Sequence, residues 1–283
     1  MIELTEIAAW RKFANDERAA GRRVGLVPTM GALHGGHESL FRAAREACDV
    51  VIATVFVNPR QFGDESDLAH YPRTLERDRE IAHASGVDCL VVPTLHEMWP
   101  VYPNCTPTTV SVPGIGDVLE GSGRPGHFDG VASVVTKLVA VTGPCQALFG
   151  EKDYQQLVVV QHLMRDLGFD VQVVGCPIVR DPDGLALSSR NVRLSSDGRR
   201  RALGLSRALS YVSTTSARAS TLRSTMRTIL DDSGVEVAYA EVVDPTTLEP
   251  TSDAESGSRR ALIAGFVEGV RLLDNGPVSV VSN

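Results

Sequence analysis

The sequence predicts an α/β protein: a Rossmann-like parallel sheet with helices on both faces over residues 1–178, and a smaller α+β C-terminal domain over residues 179–283. Three observations predict it. Strand-like apolar runs alternate with helix-like segments through the first part of the chain, the pattern of repeated crossovers in a parallel sheet. The runs are apolar throughout, as in Val50-Val51-Ile52-Ala53-Thr54-Val55-Phe56-Val57, which suits strands covered on both faces. Beyond about residue 178 the texture changes to Arg-, Ser- and Thr-rich segments.

The first strand is expected at 24–28, followed by a helix at 38–48 in which apolar residues return every three or four positions. By the same criteria strand 50–57 precedes helix 74–85, strand 88–92 follows, helix 131–141 precedes strand 147–149, and helix 154–167 leads into strand 171–174. In the second part, 198–213 and 219–231 read as helices, and 235–243 and 260–273 as alternating segments. The Ser- and Thr-rich stretch 210–224 keeps helix formers, so a solvated helix pair is expected there.

With 283 residues, 43% of them hydrophobic and 22% charged, the chain is long enough for one large domain or two modest ones. Its net charge of -7 argues against a nucleic-acid or anionic-membrane partner, because such surfaces select basic patches. Any phosphate site must therefore be local. Cys48, Cys89, Cys105, Cys145 and Cys176 are widely spaced, odd in number and without a C-x-x-C pair, which points to a reduced, cytoplasmic protein without structural zinc. The acidic start Met1-Ile2-Glu3-Leu4-Thr5-Glu6 and the lack of a long apolar run lead us to expect neither export nor membrane anchoring.

Four segments carry chemistry. Pro28-Thr29-Met30-Gly31-Ala32-Leu33-His34-Gly35-Gly36-His37 lies between the first strand and its helix, where open α/β sheets bind ligands. Backbone N–H groups there favour an anion, and Gly31, Gly35 and Gly36 let the backbone approach phosphate. His34 and His37, three apart, share a face and can both donate to phosphate; taken alone, a surface pair or a metal site is the alternative. Gly150-Glu151-Lys152-Asp153-Tyr154-Gln155-Gln156 again joins a strand to a helix. Lys152 can offset triphosphate charge, Asp153 is an N-cap candidate or a ribose or metal contact, and Gln156 lies further along the same face, the alternative being a capped helix start.

Asp183-Gly184-Leu185-Ala186-Leu187-Ser188-Ser189-Arg190-Asn191 lies at the expected domain junction, where two hydroxyls and a guanidinium suit the β- and γ-phosphates of a departing pyrophosphate, or else form a polar linker. In Phe56-Val57-Asn58-Pro59-Arg60-Gln61-Phe62-Gly63, Gln61 offers one acceptor and two donors, a neutral way to recognise hydroxyl and carboxylate together, or an ordinary surface amide.

In order, these segments resemble the motifs of the pantothenate synthetase family: PTMGALHxGH at 28–37, FVNPxQF at 56–62, YPRT at Tyr71-Pro72-Arg73-Thr74, GEKDxQQ at 150–156 and LAMSSRN at 185–191. Weaker matches at Leu119-Glu120-Gly121, Arg124-Pro125-Gly126-His127-Phe128 and Arg271-Leu272-Leu273-Asp274-Asn275 extend the resemblance over nearly the whole chain. The family is related to the nucleotidyltransferases and class I aminoacyl-tRNA synthetases. The resemblance implies a ligase that uses ATP to convert pantoate to pantoyl adenylate and then joins it to β-alanine, as a cytoplasmic homodimer with magnesium.

It further implies ATP contacts from Pro28, Met30, Gly31, Ala32, Leu33, His34, Gly35, Gly36, His37, Gly150, Glu151, Lys152, Asp153, Val179, Leu187, Ser188, Ser189 and Arg190. Gln61 and Gln156 are implied for pantoate, and Asp78 for the metal. His34 and His37 are assigned to the charge developing at the α-phosphate, with His37 the proton donor to pyrophosphate; Lys152, Ser188, Ser189 and Arg190 hold the β- and γ-phosphates. The C-terminal domain is expected to act as a lid that keeps the adenylate dry. Two positions depart from the pattern: Leu187 stands for the usual Met, and Arg77 and Arg79, not further acids, flank Asp78. A nucleotidyltransferase that needs no amine, or a nucleotide-sensing scaffold, remains the alternative.

Overall fold

In the computed structural model of the chain, the described residues are 1–63, 65–104 and 108–282, without the side chains of residues 65 and 66. They divide into two compact units. The first comprises Met1–Glu151 and Gln155–Pro177, and the second Lys152–Tyr154 and Ile178–Asn283. The expected border at 178/179 thus differs in one respect that matters: the Lys152 turn belongs with the C-terminal unit.

The first unit runs β1 (Ile2–Leu4), α1 (Ile7–Ala19), β2 (Val24–Thr29), α2 (Gly35–Ala47), β3 (Val50–Val55), α3 (Glu65–His70), α4 (Leu75–Ala84), β4 (Cys89–Val91), α5 (Leu95–Met98), α6 (Glu120–Gly123), α7 (His127–Thr142), β5 (Cys145–Gly150), α8 (Tyr154–Asp166) and β6 (Val171–Cys176). All six strands are parallel, in the order β1-β4-β3-β2-β5-β6. β2 and β3 read as unbroken apolar runs because helices cover both faces: Leu26, Val27, Val51, Ile52 and Ala53 are wholly buried. Gly25 gives α2 its close approach, since a β-carbon there would lie 3.1 Å from the Cys48 sulfur. The strand order reverses at β2, whose neighbours are β3 on one side and β5 on the other. That is the topological switch point, with the loop after β2 and the turn after β5 at its carboxyl ends.

The second unit adds α9 (Ser196–Ser213), α10 (Ala219–Asp232), β7 (Glu236–Val243), β8 (Gly257–Val267) and β9 (Val270–Val280). The three strands form an antiparallel meander, packed through Val242, Ile263, Val267, Leu272 and Val278 against Leu205, Leu209, Leu222, Met226 and Leu230 of the helices. The segment expected as one alternating run at 260–273 is two strands. Val267 pairs with Val270 across Glu268 and Gly269, whose φ values of 53° and 73° make a left-handed two-residue turn of the hairpin type. The solvated helix pair expected near 210–224 is the end of α9 and the start of α10.

Cys48, Cys89, Cys145 and Cys176 are free thiols, while Cys105 lies outside the described residues. Burial pushes the Cys89 and Cys145 thiols up to about 12. No helix among the described residues is long and apolar enough to cross a membrane.

Candidate active site

In the first unit, the loop after β2 is shaped by a left-handed turn and capped by a histidine. Gly31 and Ala32 have φ of 79° and 50°. The conformation is ordinary for Gly31 and costly for Ala32, and Asp78 on α4 holds it. The carboxylate of Asp78 accepts from the N–H of Ala32 at 3.1 Å and of Leu33 at 2.8 Å, and from the Thr74 hydroxyl at 3.1 Å. A β-carbon at Gly31 would sit 2.8 Å from that carboxylate. The freedom of Gly31 therefore serves the approach of Asp78, and the N–H groups of Ala32 and Leu33 are committed to it.

Asp78, expected for the metal, is bonded here to the backbone of the loop. Its oxygens face N–H and O–H donors, which is the environment of a buried anion anchoring a loop and not of a cation ligand. Among the described residues no group of three or more His, Cys, Asp or Glu could hold a metal ion. The described side chains do not form a protein-built magnesium site.

Helix α2 starts at Gly35, three residues earlier than expected, because His34 is its N-cap. The Nδ1 of His34 accepts from the N–H of Gly36 at 3.1 Å, and the Nδ1 of His37 accepts from the N–H of His34 at 3.3 Å. This is a capping box built from two imidazoles, with ring centroids 4.3 Å apart. An accepting Nδ1 fixes the tautomer, so each neutral ring carries its proton on Nε2.

Gln61, 7% exposed, lies in the short turn Pro59–Gln61 after β3. Its Nε2 is 3.2 Å from the sulfur of Met30, which brings the expected pantoate and nucleotide segments together. Asn58, which sequence reasoning passed over, orders this turn: its Nδ2 donates to Gln61 Oε1 and to the Gly130 carbonyl, each at 3.1 Å, and its Oδ1 accepts from Trp99 Nε1 at 3.0 Å. The signal was Asn followed by Pro, an N-cap before a helical turn. His127 Nδ1 donates to the Gln61 carbonyl at 2.8 Å, which leaves Nε2 to accept from Arg124 at 3.1 Å.

At the start of α8, Gln156 is half-buried. Its neighbour Gln155 is buried and spent on backbone, accepting from Glu120 N–H at 3.0 Å and donating to the Ile115 and Val118 carbonyls at 2.8 and 2.7 Å. Pro28 lies within β2, Gly150 ends β5, and Glu151 opens the helical turn Glu151–Asp153.

In the second unit, Lys152 lies in that turn, half-buried, its Nζ 3.4 Å from the Asp153 carboxylate. The Val179 carbonyl accepts from the N–H of Leu187 at 2.9 Å, and Arg180 bridges Ala186, so 179–187 is a narrow hairpin. Its tip is pinned by Arg199, paired with Asp181 at 2.6 Å and Asp183 at 2.7 Å. Ser188 caps the following turn, Ser189–Arg193, by accepting from the N–H of Arg190 at 3.3 Å. Ser188, Ser189 and Arg190 are half-buried.

An open parallel sheet whose switch point carries a histidine-capped helix terminus defines a class, the Rossmann-like α/β enzymes. The comparisons identify the branch of that class. A family model described as pantoate-beta-alanine ligase matches residues 3–277. The chain belongs to the pantoate–β-alanine ligase family, and it is an enzyme of that kind. It is 47% identical to the pantothenate synthetase of Anaeromyxobacter dehalogenans, over 96% of this chain and 97% of that one. It is 48% identical to that of Cereibacter sphaeroides, over 97% and 99%. Among solved structures, pantothenate synthetase from Thermus thermophilus matches with a TM-score of 0.88 and 44% identity, covering 98% of this chain and 99% of that chain. Pantoate-beta-alanine ligase from Francisella tularensis, complexed with beta-gamma ATP and beta-alanine, matches with a TM-score of 0.81 and 32% identity, covering 98% and 97%.

Proposed function

We propose that the enzyme works in two half-reactions. The pantoate carboxylate attacks the α-phosphorus of ATP, forming pantoyl adenylate as pyrophosphate leaves. The amine of β-alanine then attacks the acyl carbon of the mixed anhydride, giving pantothenate as AMP leaves. The observation that carries this reading is the His34–His37 capping box at the end of β2. It holds two neutral imidazoles, each with its proton on Nε2, at a helix N-terminus whose dipole favours negative charge. Such a pair donates hydrogen bonds from Nε2 to the α-phosphate and the bridging oxygen as charge develops there, and His37 stabilises the departing pyrophosphate through that bond.

Each unit supplies its own part. Pro28, Met30–His37, Gly150 and Glu151 receive the nucleotide in the first. In the second, Asp153, Val179 and Leu187 contact it, and Lys152, Ser188, Ser189 and Arg190 balance the β- and γ-phosphates. Magnesium enters as the triphosphate's own counter-ion. Gln61 and Gln156 take the hydroxyls and carboxylate of pantoate. No protein nucleophile is required, so catalysis is alignment and charge neutralisation. The family resemblance adds a cytoplasmic homodimer to the reading.

The test is AMP release measured with pantoate and β-alanine together and with each omitted. Sustained AMP release is expected only with both substrates; pantoate alone gives a single-turnover amount of pyrophosphate, with AMP kept in the bound adenylate. Sustained release without pantoate, or a released nucleotide-linked end product in place of pantothenate when both substrates are present, refutes the reading.

A further inference from the structure

Asp274 and Asn275 sit side by side in β9, both almost wholly buried at 3% and 2% exposure. Neighbouring even-numbered positions of this strand, Leu272 and Val278, face the apolar core. A strand that only had to pack would continue that pattern, since buried polar groups cost free energy unless every bond is made. Here the bonds are made, and they lead to two separate loops. Successive side chains of a strand leave on opposite faces. Asp274 reaches Arg180 in a bidentate pair, at 2.7 and 2.8 Å. Arg180 also donates to the Gly184 carbonyl at 3.1 Å, bracing the hairpin that leads into Ser188–Arg190.

Asn275 reaches the other way. Its Nδ2 donates to the Lys152 carbonyl at 3.0 Å, and its Oδ1 accepts from Arg260 Nε at 2.9 Å. The guanidinium of Arg260 lies 4.0 Å over the ring of Tyr154, whose hydroxyl donates to the Pro245 carbonyl at 3.0 Å. The turn carrying Lys152 is thus fixed to the C-terminal unit from both ends, although β5 and α8 flank it in sequence.

We propose that Asp274 and Asn275 are positioning residues: one rigid strand sets the spacing between the Lys152 turn and the Ser188–Arg190 loop, so that both meet one triphosphate in register. The proposal rests on the reading that these two segments hold the β- and γ-phosphates. Both act through other residues, Asp274 through the Arg180 guanidinium and Asn275 through the Lys152 carbonyl.

Asn275→Asp separates this role from simple packing. The variant has the same shape and pairs with Arg260 at least as well, but it cannot donate to Lys152 and sets an anionic oxygen against that carbonyl. ATP binding to the full-length enzyme, read by calorimetry on the folded variant below its melting transition, is expected to weaken about tenfold. In a double-mutant cycle, Asn275→Asp on a Lys152→Ala background is expected to add nothing. Unchanged affinity in Asn275→Asp overturns the proposal, as does a full additional loss on the Lys152→Ala background. Unchanged affinity in Lys152→Ala instead removes the reading of Lys152 on which the proposal rests. Should Asn275→Asp not fold, Asp274→Asn, cycled with Arg190→Ala, asks the same question from the opposite face and is judged by the same outcomes.

Discussion

The two oxygens of Asp78 determine the path of the loop that ends at His34. They accept from consecutive N–H groups, at Ala32 and Leu33, and so stabilise a left-handed alanine that would otherwise be unfavourable. Asp78→Asn turns one acceptor into a donor facing an N–H, and a loss of about 2 kcal/mol in urea unfolding is expected. Adenylation should fall further than stability does; an unaltered urea midpoint would contradict the anchoring role. Asp244 supplies a pH-dependent contribution elsewhere. Bonds from the Thr246 hydroxyl and from the N–H groups of Thr246 and Thr247 hold its carboxyl down to about 2, from an ordinary 3.8. A depressed carboxyl stabilises the fold fully above its unfolded value, and that contribution disappears as pH falls through the folded one. The difference in melting midpoint between wild type and Asp244→Asn is therefore expected to shrink between about pH 5 and pH 2 and to be constant above. A difference that grows on acidification would contradict the assignment. At this scale the family resemblance singled out Asp78 for a metal, and only the fold reveals that the backbone N–H groups of Ala32 and Leu33 approach it.

At the scale of elements, helix α2 joins structure to chemistry through its cap. Its start was hidden in the sequence because Gly35 and Gly36 are poor helix formers and histidine is an uncommon N-cap. His34→Asn keeps a capping acceptor and removes the ring, so a melting midpoint near wild type is expected with AMP formation reduced about a hundredfold. His34→Ala loses the cap as well and should cost about 1 kcal/mol more in stability. Equal activity in His34→Asn and wild type would reduce His34 to a structural role. The β8–β9 hairpin was hidden for a related reason: Glu268-Gly269 lacks the Asn-Gly or Asp-Gly signal, and alternation runs unbroken through a two-residue turn. The strands β2 and β3 were plain because burial on both faces leaves only apolar residues to read.

Across the whole molecule, the order of motifs was legible while their division between the two units was not. Glu151 and Lys152 are adjacent in sequence, yet the compact units part between them, because Asn275 and Tyr154 tie the Lys152 turn to the antiparallel domain. No local pattern encodes a hydrogen bond spanning 123 positions. If, as proposed, every phosphate-directed group serves the first half-reaction, adenylation should proceed without the amine. The direct measurement is exchange of labelled pyrophosphate into ATP with magnesium and pantoate present and β-alanine absent. Exchange is expected at a rate comparable to overall turnover, with pantoyl adenylate retained on the enzyme. Exchange that strictly requires β-alanine, in a preparation shown to be active, would contradict the proposal.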